Sequence, residues 1–280
     1  DHKLAALEQL RAWSPRVLAK LEALVAGPDE RAVLRVNPLA FARDRGVAVG
    51  EAIDLFLHAT RLGLFTLDWH LLCPCCGGAV ESFASLRGLH RGVYCALCAL
   101  RADANLDDFI QVSFTVAPGV RRLRFHDPES LTAAEFLYQL RLTPEMHLGD
   151  LDGPRMVDVM PQFLQVLDWV GPGARLPFAF DTPGPGAFTV AEFHAHTGTT
   201  VDVRDDATAD EVELVIAERE LLASTPTVRP GRIRGAFVNQ RPRPLVVAIS
   251  FDAQADLDAG RNRPRTTLAP ILTGAMLLTN

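Results

Sequence analysis

No stretch of 18 uninterrupted apolar residues occurs in this 280-residue sequence, which excludes a membrane-crossing helix within it. Asp1-His2-Lys3 does not begin the basic-then-apolar pattern of a secretory leader, so a cytoplasmic setting is expected. Lysine is scarce: only Lys3 and Lys20 stand among 28 basic residues, and this dominance of arginine reads as coding background and not as chemistry. The formal charge of -6 argues against a surface built throughout for nucleic acid, because such surfaces are usually basic. Also missing are a nucleophile motif, a phosphate-binding glycine loop and a paired-carboxylate site, while His58, His70, His90, His126 and His147 are scattered. No catalytic residue is therefore predicted, and the chain is read as non-enzymatic. Nor is there an aromatic platform for sugar or lipid beyond Trp69 and Trp169, which are of a type more often found in cores.

What the chain does have is 48% hydrophobic and 22% charged residues, enough apolar mass for more than one core. Apolar positions recur every three or four residues up to Gly63, whereas alternating runs bounded by proline and glycine dominate beyond Asp108. The expected class is α+β, with a helical and winged-helix-like region over 1–72, a cysteine knuckle over 73–108 and an antiparallel β-sandwich over 109–280. In the front, Ser14-Pro15 and Asn37-Pro38 are helix starts and Gly46 a helix stop. A helix at about 50–62 followed by a strand over Leu64–Leu72 completes the helix, turn, helix, strand order of a winged helix. Its charges, Glu51, Asp54, His58 and Arg61, are a poor match to a DNA groove, which needs several basic side chains. Arg31, Arg35, Arg43 and Arg45 leave a weak basic edge, so a DNA-binding regulator stands as the alternative.

All five cysteines, Cys73, Cys75, Cys76, Cys95 and Cys98, fall within 26 positions. Cys73-Pro-Cys-Cys76 and Cys95-Ala-Leu-Cys98 give two C-x2-C pairs with eighteen residues between them, the spacing of a structural four-thiolate Zn2+ site. Two intervening residues let a tight turn aim both sulfurs at one ion, and Gly77-Gly78 supply backbone freedom. A disulfide framework would leave an odd thiol and need an oxidising compartment, and a thioredoxin-type pair would not explain the second C-x2-C. Cys75 is read as a spectator, although it could replace Cys76. Four thiolates leave no open coordination position, so the metal is expected to be structural and not catalytic.

In the back, strands are expected at Phe109–Val116, Arg121–Phe125, Phe136–Leu142 and at six later segments. Among these, 231–239 and 245–251 are read as a hairpin around Gln240-Arg-Pro-Arg-Pro244. Met156, Val159, Met160, Phe163, Leu164 and Leu167 suggest a helical insertion near 154–170, bent at Pro161. His194 and His196 would share a strand face, a geometry metal sites use, but no third ligand follows and packing histidines are preferred. Asp205, Asp206, Asp210, Glu211 and Glu213 read as a solvated acidic face.

The stretches Arg35-Val-Asn-Pro-Leu-Ala, Leu55-Phe-Leu-His-Ala-Thr-Arg-Leu-Gly63 and Leu67-Asp-Trp-His-Leu-Leu-Cys-Pro74 resemble an uncharacterised bacterial domain that commonly precedes class III adenylate/guanylate cyclase catalytic domains. The resemblance covers about residues 33–120. It implies a regulatory, non-catalytic region whose knuckle positions are Cys73, Cys76, Cys95 and Cys98, with an attached or partner cyclase domain as its output. A protein or small-molecule signal would be its input; no nucleic acid or membrane partner is implied, and a homodimer is compatible.

Overall fold

The computed structural model describes residues 2–83, 93–102, 109–258 and 265–279. Its front holds four helices, α1 (His2–Leu10), α2 (Val17–Ala26), α3 (Pro38–Arg45) and α4 (Val49–Arg61). The Asn37 side chain accepts the Leu39 N–H at 3.1 Å, Pro38 occupies the first turn and Gly46 closes α3, as the sequence predicts. Ser14 does not cap α2, which begins at Val17 behind Arg16 in a left-handed conformation. The Ser14 N–H is instead taken by Glu51 of α4 at 2.6 Å.

Strand β1 (Phe65–Leu72) follows α4 and is the centre of a three-stranded antiparallel sheet, flanked by β2 (Ala79–Phe83) and, across the knuckle strands β3 (Val93–Cys95) and β4 (Leu100–Ala102), by β5 (Ile110–Val116). The apolar face of α4 closes on this sheet: Phe56 meets the rings of Phe41, Phe65 and Phe114 at 5.2–5.3 Å between centroids. Strand β5, expected to open the sheet-rich back, is therefore bonded into the front, and a division at residue 108 would separate the paired strands β1 and β5. Full burial of all seven β5 residues explains the missing alternation in Ile-Gln-Val-Ser-Phe-Thr-Val.

The opposite face of β1 carries a buried polar layer. His70 bridges Ser82 and Ser113 at 2.8 Å on each ring nitrogen, and burial holds it well below its ordinary pKa. Arg35, read from the sequence as a surface charge, is buried; its guanidinium donates to the carbonyls of Leu140 and Leu142 and to Gln111 Oε1. The segment it reaches was expected to be a strand over Phe136–Leu142. It is a helix instead, α5 (Ala133–Glu135) widening into a π turn over Phe136–Arg141, because Thr132 and Glu135 form a reciprocal capping box that the strand reading overlooked. Arg124–His126 likewise forms a single 3-10 turn where a strand was expected.

Beyond β6 (Met146–Leu148) comes α6 (Met156–Val159), and a 3-10 turn at Met160–Gln162 ends the helical insertion at the proline. Residues from Leu164 onward are strand, not helix. The sandwich consists of β7 (Leu164–Val170), β8 (Arg175–Thr182), β9 (Gly186–Glu192), β10 (Thr197–Val203), β11 (Glu211–Ile216), β12 (Leu221–Ala223), β13 (Thr227–Val228), β14 (Gly231–Asn239) and β15 (Leu245–Ala253). One sheet has the order β13-β10-β9-β15-β7 and the other β12-β11-β14-β8; pairing is antiparallel except β10 with β13 and β11 with β14. An apolar core lies between them, with Phe188, Val190, Val247 and Ile249 from one sheet against Leu214, Ile216, Ile233 and Phe237 from the other. Helix α7 (Gln254–Asp258), strand β16 (Thr266–Leu268), which pairs with β6, and helix α8 (Gly274–Thr279) finish the chain.

The expected 231–239/245–251 hairpin does not form. Strands β14 and β15 belong to opposite sheets, and the Asn239 side chain fixes the crossing by donating to the carbonyls of Val170, Gly171 and Arg243 at 2.8–3.0 Å. Two prolines in the connection and a twist between sheets favour an arch over a tight turn. Strand β15 is apolar on both faces because its second face, Val246 and Ala248, joins the core of the front.

Candidate metal centre

The two C-x2-C pairs reach one point by two turns of similar build. Cys73 and Cys76 lie at the end of β1: Cys73 N–H donates to the Gly78 carbonyl at 2.8 Å, and Gly77 N–H to the Cys73 carbonyl at 2.9 Å. Gly77 has φ +69°, and a Cβ there would stand 2.7 Å from Met146 Cβ, so glycine is required both conformationally and sterically. In the second turn Cys95 ends β3 and Cys98 precedes β4, and Ala99 occupies the position equivalent to Gly77 with φ 47°. A left-handed alanine costs about 1 kcal/mol or more.

The ligand atoms of Cys73, Cys76, Cys95 and Cys98 all lie within 4.8 Å of one another, three of the residues being buried and Cys98 half-buried. Cys76 and Cys95 sulfurs are 3.8 Å apart, far beyond the roughly 2.05 Å of a disulfide and equal to the edge of a tetrahedron built on metal–sulfur bonds of about 2.3 Å. Backbone amides point at the sulfurs, Cys75 N–H to Cys73 Sγ and Gly78 N–H to Cys76 Sγ at 3.4 Å each. Such donors stabilise negative charge on thiolates. Hydrogen bonds from Cys76, Cys95 and Cys98 draw the Cys73 thiol well below its usual range, while the bonds shared with Cys73 push Cys76 and Cys98 up. Four thiols so close share their protons unequally, a conflict that a bound metal ion would resolve by displacing them.

Cys76 is in the cluster and Cys75 is not; Cys75 lines a cavity on the sandwich side, along with the backs of Cys76 and Cys98. The knuckle leans directly on the sandwich, since a Cβ at Gly198 in β10 would meet Ala96 at 3.2 Å. The histidines of the sequence reading are elsewhere. His194 and His196 lie in the turn between β9 and β10, not on a strand. His194 stacks on Phe136 with centroids 4.9 Å apart. His196, at φ 51°, is half-buried beside Cys76 and Cys95 against a void of about 10 Å³, and desolvation of its ring holds its pKa down at about 3. The Nε2 of His196 and the Nε of Arg141, both buried beside this void, have no hydrogen-bond partner; it has room for one water.

Beside these lies a feature that sequence reasoning missed, a buried ion pair. Arg241 Nη1 and Glu192 Oε2 are 3.0 Å apart, both nearly inaccessible. Although burial alone would raise it, hydrogen bonds from the His194 ring and from the His194 and Ala195 amides, with the charge of Arg241, hold the Glu192 carboxyl at about 2. No periodicity announces this pair, because its members are 49 residues apart.

The helix that the DNA-binding alternative would place in a groove is covered in part. Arg11 pairs with Asp54, the Ser14 amide with Glu51, and Trp13 meets the His58 ring edge-on at 6.0 Å. Among the described residues no helix is long and apolar enough to cross a membrane. Residues 1–280 match the family described as a family of unknown function, DUF5939, and the chain belongs to it. No curated protein and no solved structure matches the chain.

Proposed function

We propose that this chain is a non-catalytic, zinc-stapled regulatory region of a cytoplasmic bacterial class III nucleotide cyclase. The observation that carries the structural half of this reading is the convergence of four sulfurs within 4.8 Å, wedged between the winged-helix-like front and the sandwich. Soft thiolates in a tetrahedral set suit Zn2+. With every coordination position taken by protein, the ion supplies folding energy, not activated water. The cyclase half rests on the resemblance of residues 33–120 to domains that precede such enzymes. A signal would act by binding one arrangement of the front and sandwich better than another, so shifting the state of the attached catalytic domains.

The DNA-binding alternative is weakened by the engagement of Glu51, Asp54 and His58 with the chain around Arg11–Ser14. Phosphate binding also requires more positive charge than α4 offers.

Two measurements test the proposal. Elemental analysis of protein purified without added metal should find one zinc per chain; another metal, or none, defeats the staple. Extending the reading frame past residue 280 should reveal a cyclase domain whose activity changes on deleting residues 1–280, and an unchanged activity defeats the regulatory role.

A further inference from the structure

Three hydroxyl side chains form a row across the outer face of the five-stranded sheet. Thr200 of β10 is opposite Thr189 of β9, which is opposite Ser250 of β15, and Asp252 stands two residues further along β15 on the same face. Over this row lies a cavity of about 230 Å³, roofed by Met156, Met160 and Phe163 and bounded by Leu97 of the knuckle and Leu257 of α7. This is smaller than the roughly 300–1,000 Å³ of a drug-sized site, and its mixture of an apolar shell with a few convergent polar groups is that of a small-molecule pocket.

The polar groups show the chemistry of the ligand. Among the described residues, Asp252 has no ion-pair or hydrogen-bond partner for its carboxyl, unlike the paired Asp206, Asp210 and Asp181 on the sandwich surface. Burial, reinforced by Asp256, raises its pKa. A half-buried carboxylate without a cation is a cost that a bound cation would remove. We infer that this cavity binds a small apolar amine, its ring or alkyl body against Met156, Met160 and Phe163 and its ammonium on Asp252 and the hydroxyl row. Since Cys76 and Cys98 form part of the wall, occupancy and the metal cluster share a boundary. The pocket could thus serve as the input of the regulatory region proposed above, but its occupancy can be measured without any cyclase.

Isothermal titration of the full chain, as purified, with 2-phenylethylamine, 2-phenylethanol and phenylacetate tests the assignment. The amine should bind saturably and about tenfold tighter than the alcohol, the expected margin for a charge-assisted bond, and phenylacetate should not bind. Asp252→Asn should abolish the preference for the amine without weakening the alcohol, and Thr200→Phe, at an exposed position, should block both. Equal binding of amine and carboxylate overturns the inference, as does no saturable binding below about 10 mM or a preference that survives Asp252→Asn. Should Asp252→Asn fail to fold, unaltered amine binding by Thr200→Phe overturns it.

Discussion

The front and the sandwich solve the problem of burial in opposite ways. Between its two sheets the sandwich has a core dominated by aliphatic and phenylalanine side chains, with the buried Thr182 and Asn239 at the ends of β8 and β14, assembled by alternation such as that of β11, where inward and outward residues take turns. The front instead buries Arg35, His70, Gln111, Ser113 and Thr143 together with three of four clustered cysteines. A core of the first kind stands chiefly on apolar area. One of the second kind gains stability only when every polar partner is in place and the sulfurs are neutralised, since each unmet group costs more than a met one contributes. The two regions should therefore fail separately and for different reasons.

Metal loss is the largest way to separate them. Chelation, or Cys95→Ser, should remove roughly 10 kcal/mol of folding energy from the knuckle by analogy with zinc-finger peptides. Hydrogen exchange should then show amides of β1, β2 and β5 losing protection while β8, β11 and β14 keep theirs; uniform loss would mean that the regions are one cooperative unit. The mirror experiment is Phe237→Ala, which empties a fully buried site in the sandwich at about 3–5 kcal/mol. Its denaturation midpoint should fall with the metal still bound, as measured by zinc content after mild heating.

Acid should act at the junction. Because the folded pKa of Glu192 is about 2 against an ordinary 4.5, its contribution is complete above about pH 4.5 and lost as pH falls toward 2. The expected loss is about 3 kcal/mol at most. Arg241→Met should leave Glu192 buried without its arginine, and so move the acid-unfolding midpoint upward. An unchanged midpoint would place the junction's stability elsewhere. The smallest effect is a gain: Ala99→Gly should relieve the left-handed strain at φ 47° and raise the stability of the knuckle by about 1 kcal/mol, with no change in a sandwich-only probe such as Phe237 packing.

Much of the front was legible because its signals are local. Asn37-Pro38 and Gly46 bound α3 as expected, and the two C-x2-C spacings identified the four sulfurs that converge. Ser14-Pro15 misled because a tertiary partner, Glu51, took the Ser14 amide and the helix began later. The Phe136–Leu142 misreading came from weighing apolar content above the Thr132/Glu135 capping box. Leu164–Val170 was mistaken for helix because methionine and leucine spacing before Pro161 continued into residues that pair with β15.

By itself, the order of residues determined the α+β class, the helix stops, the presence of many short strands and the four thiols able to meet at one ion. All of these follow from spacings of a few residues, where chain geometry leaves little choice. Tertiary structure alone decided that β5 pairs with β1, that β14 and β15 part into opposite sheets, that Glu192 meets Arg241, and that Thr200, Thr189 and Ser250 line up beneath a cavity. Strand partners and buried charges are selected by which distant surfaces exclude water together, and that competition leaves no periodic mark on the chain.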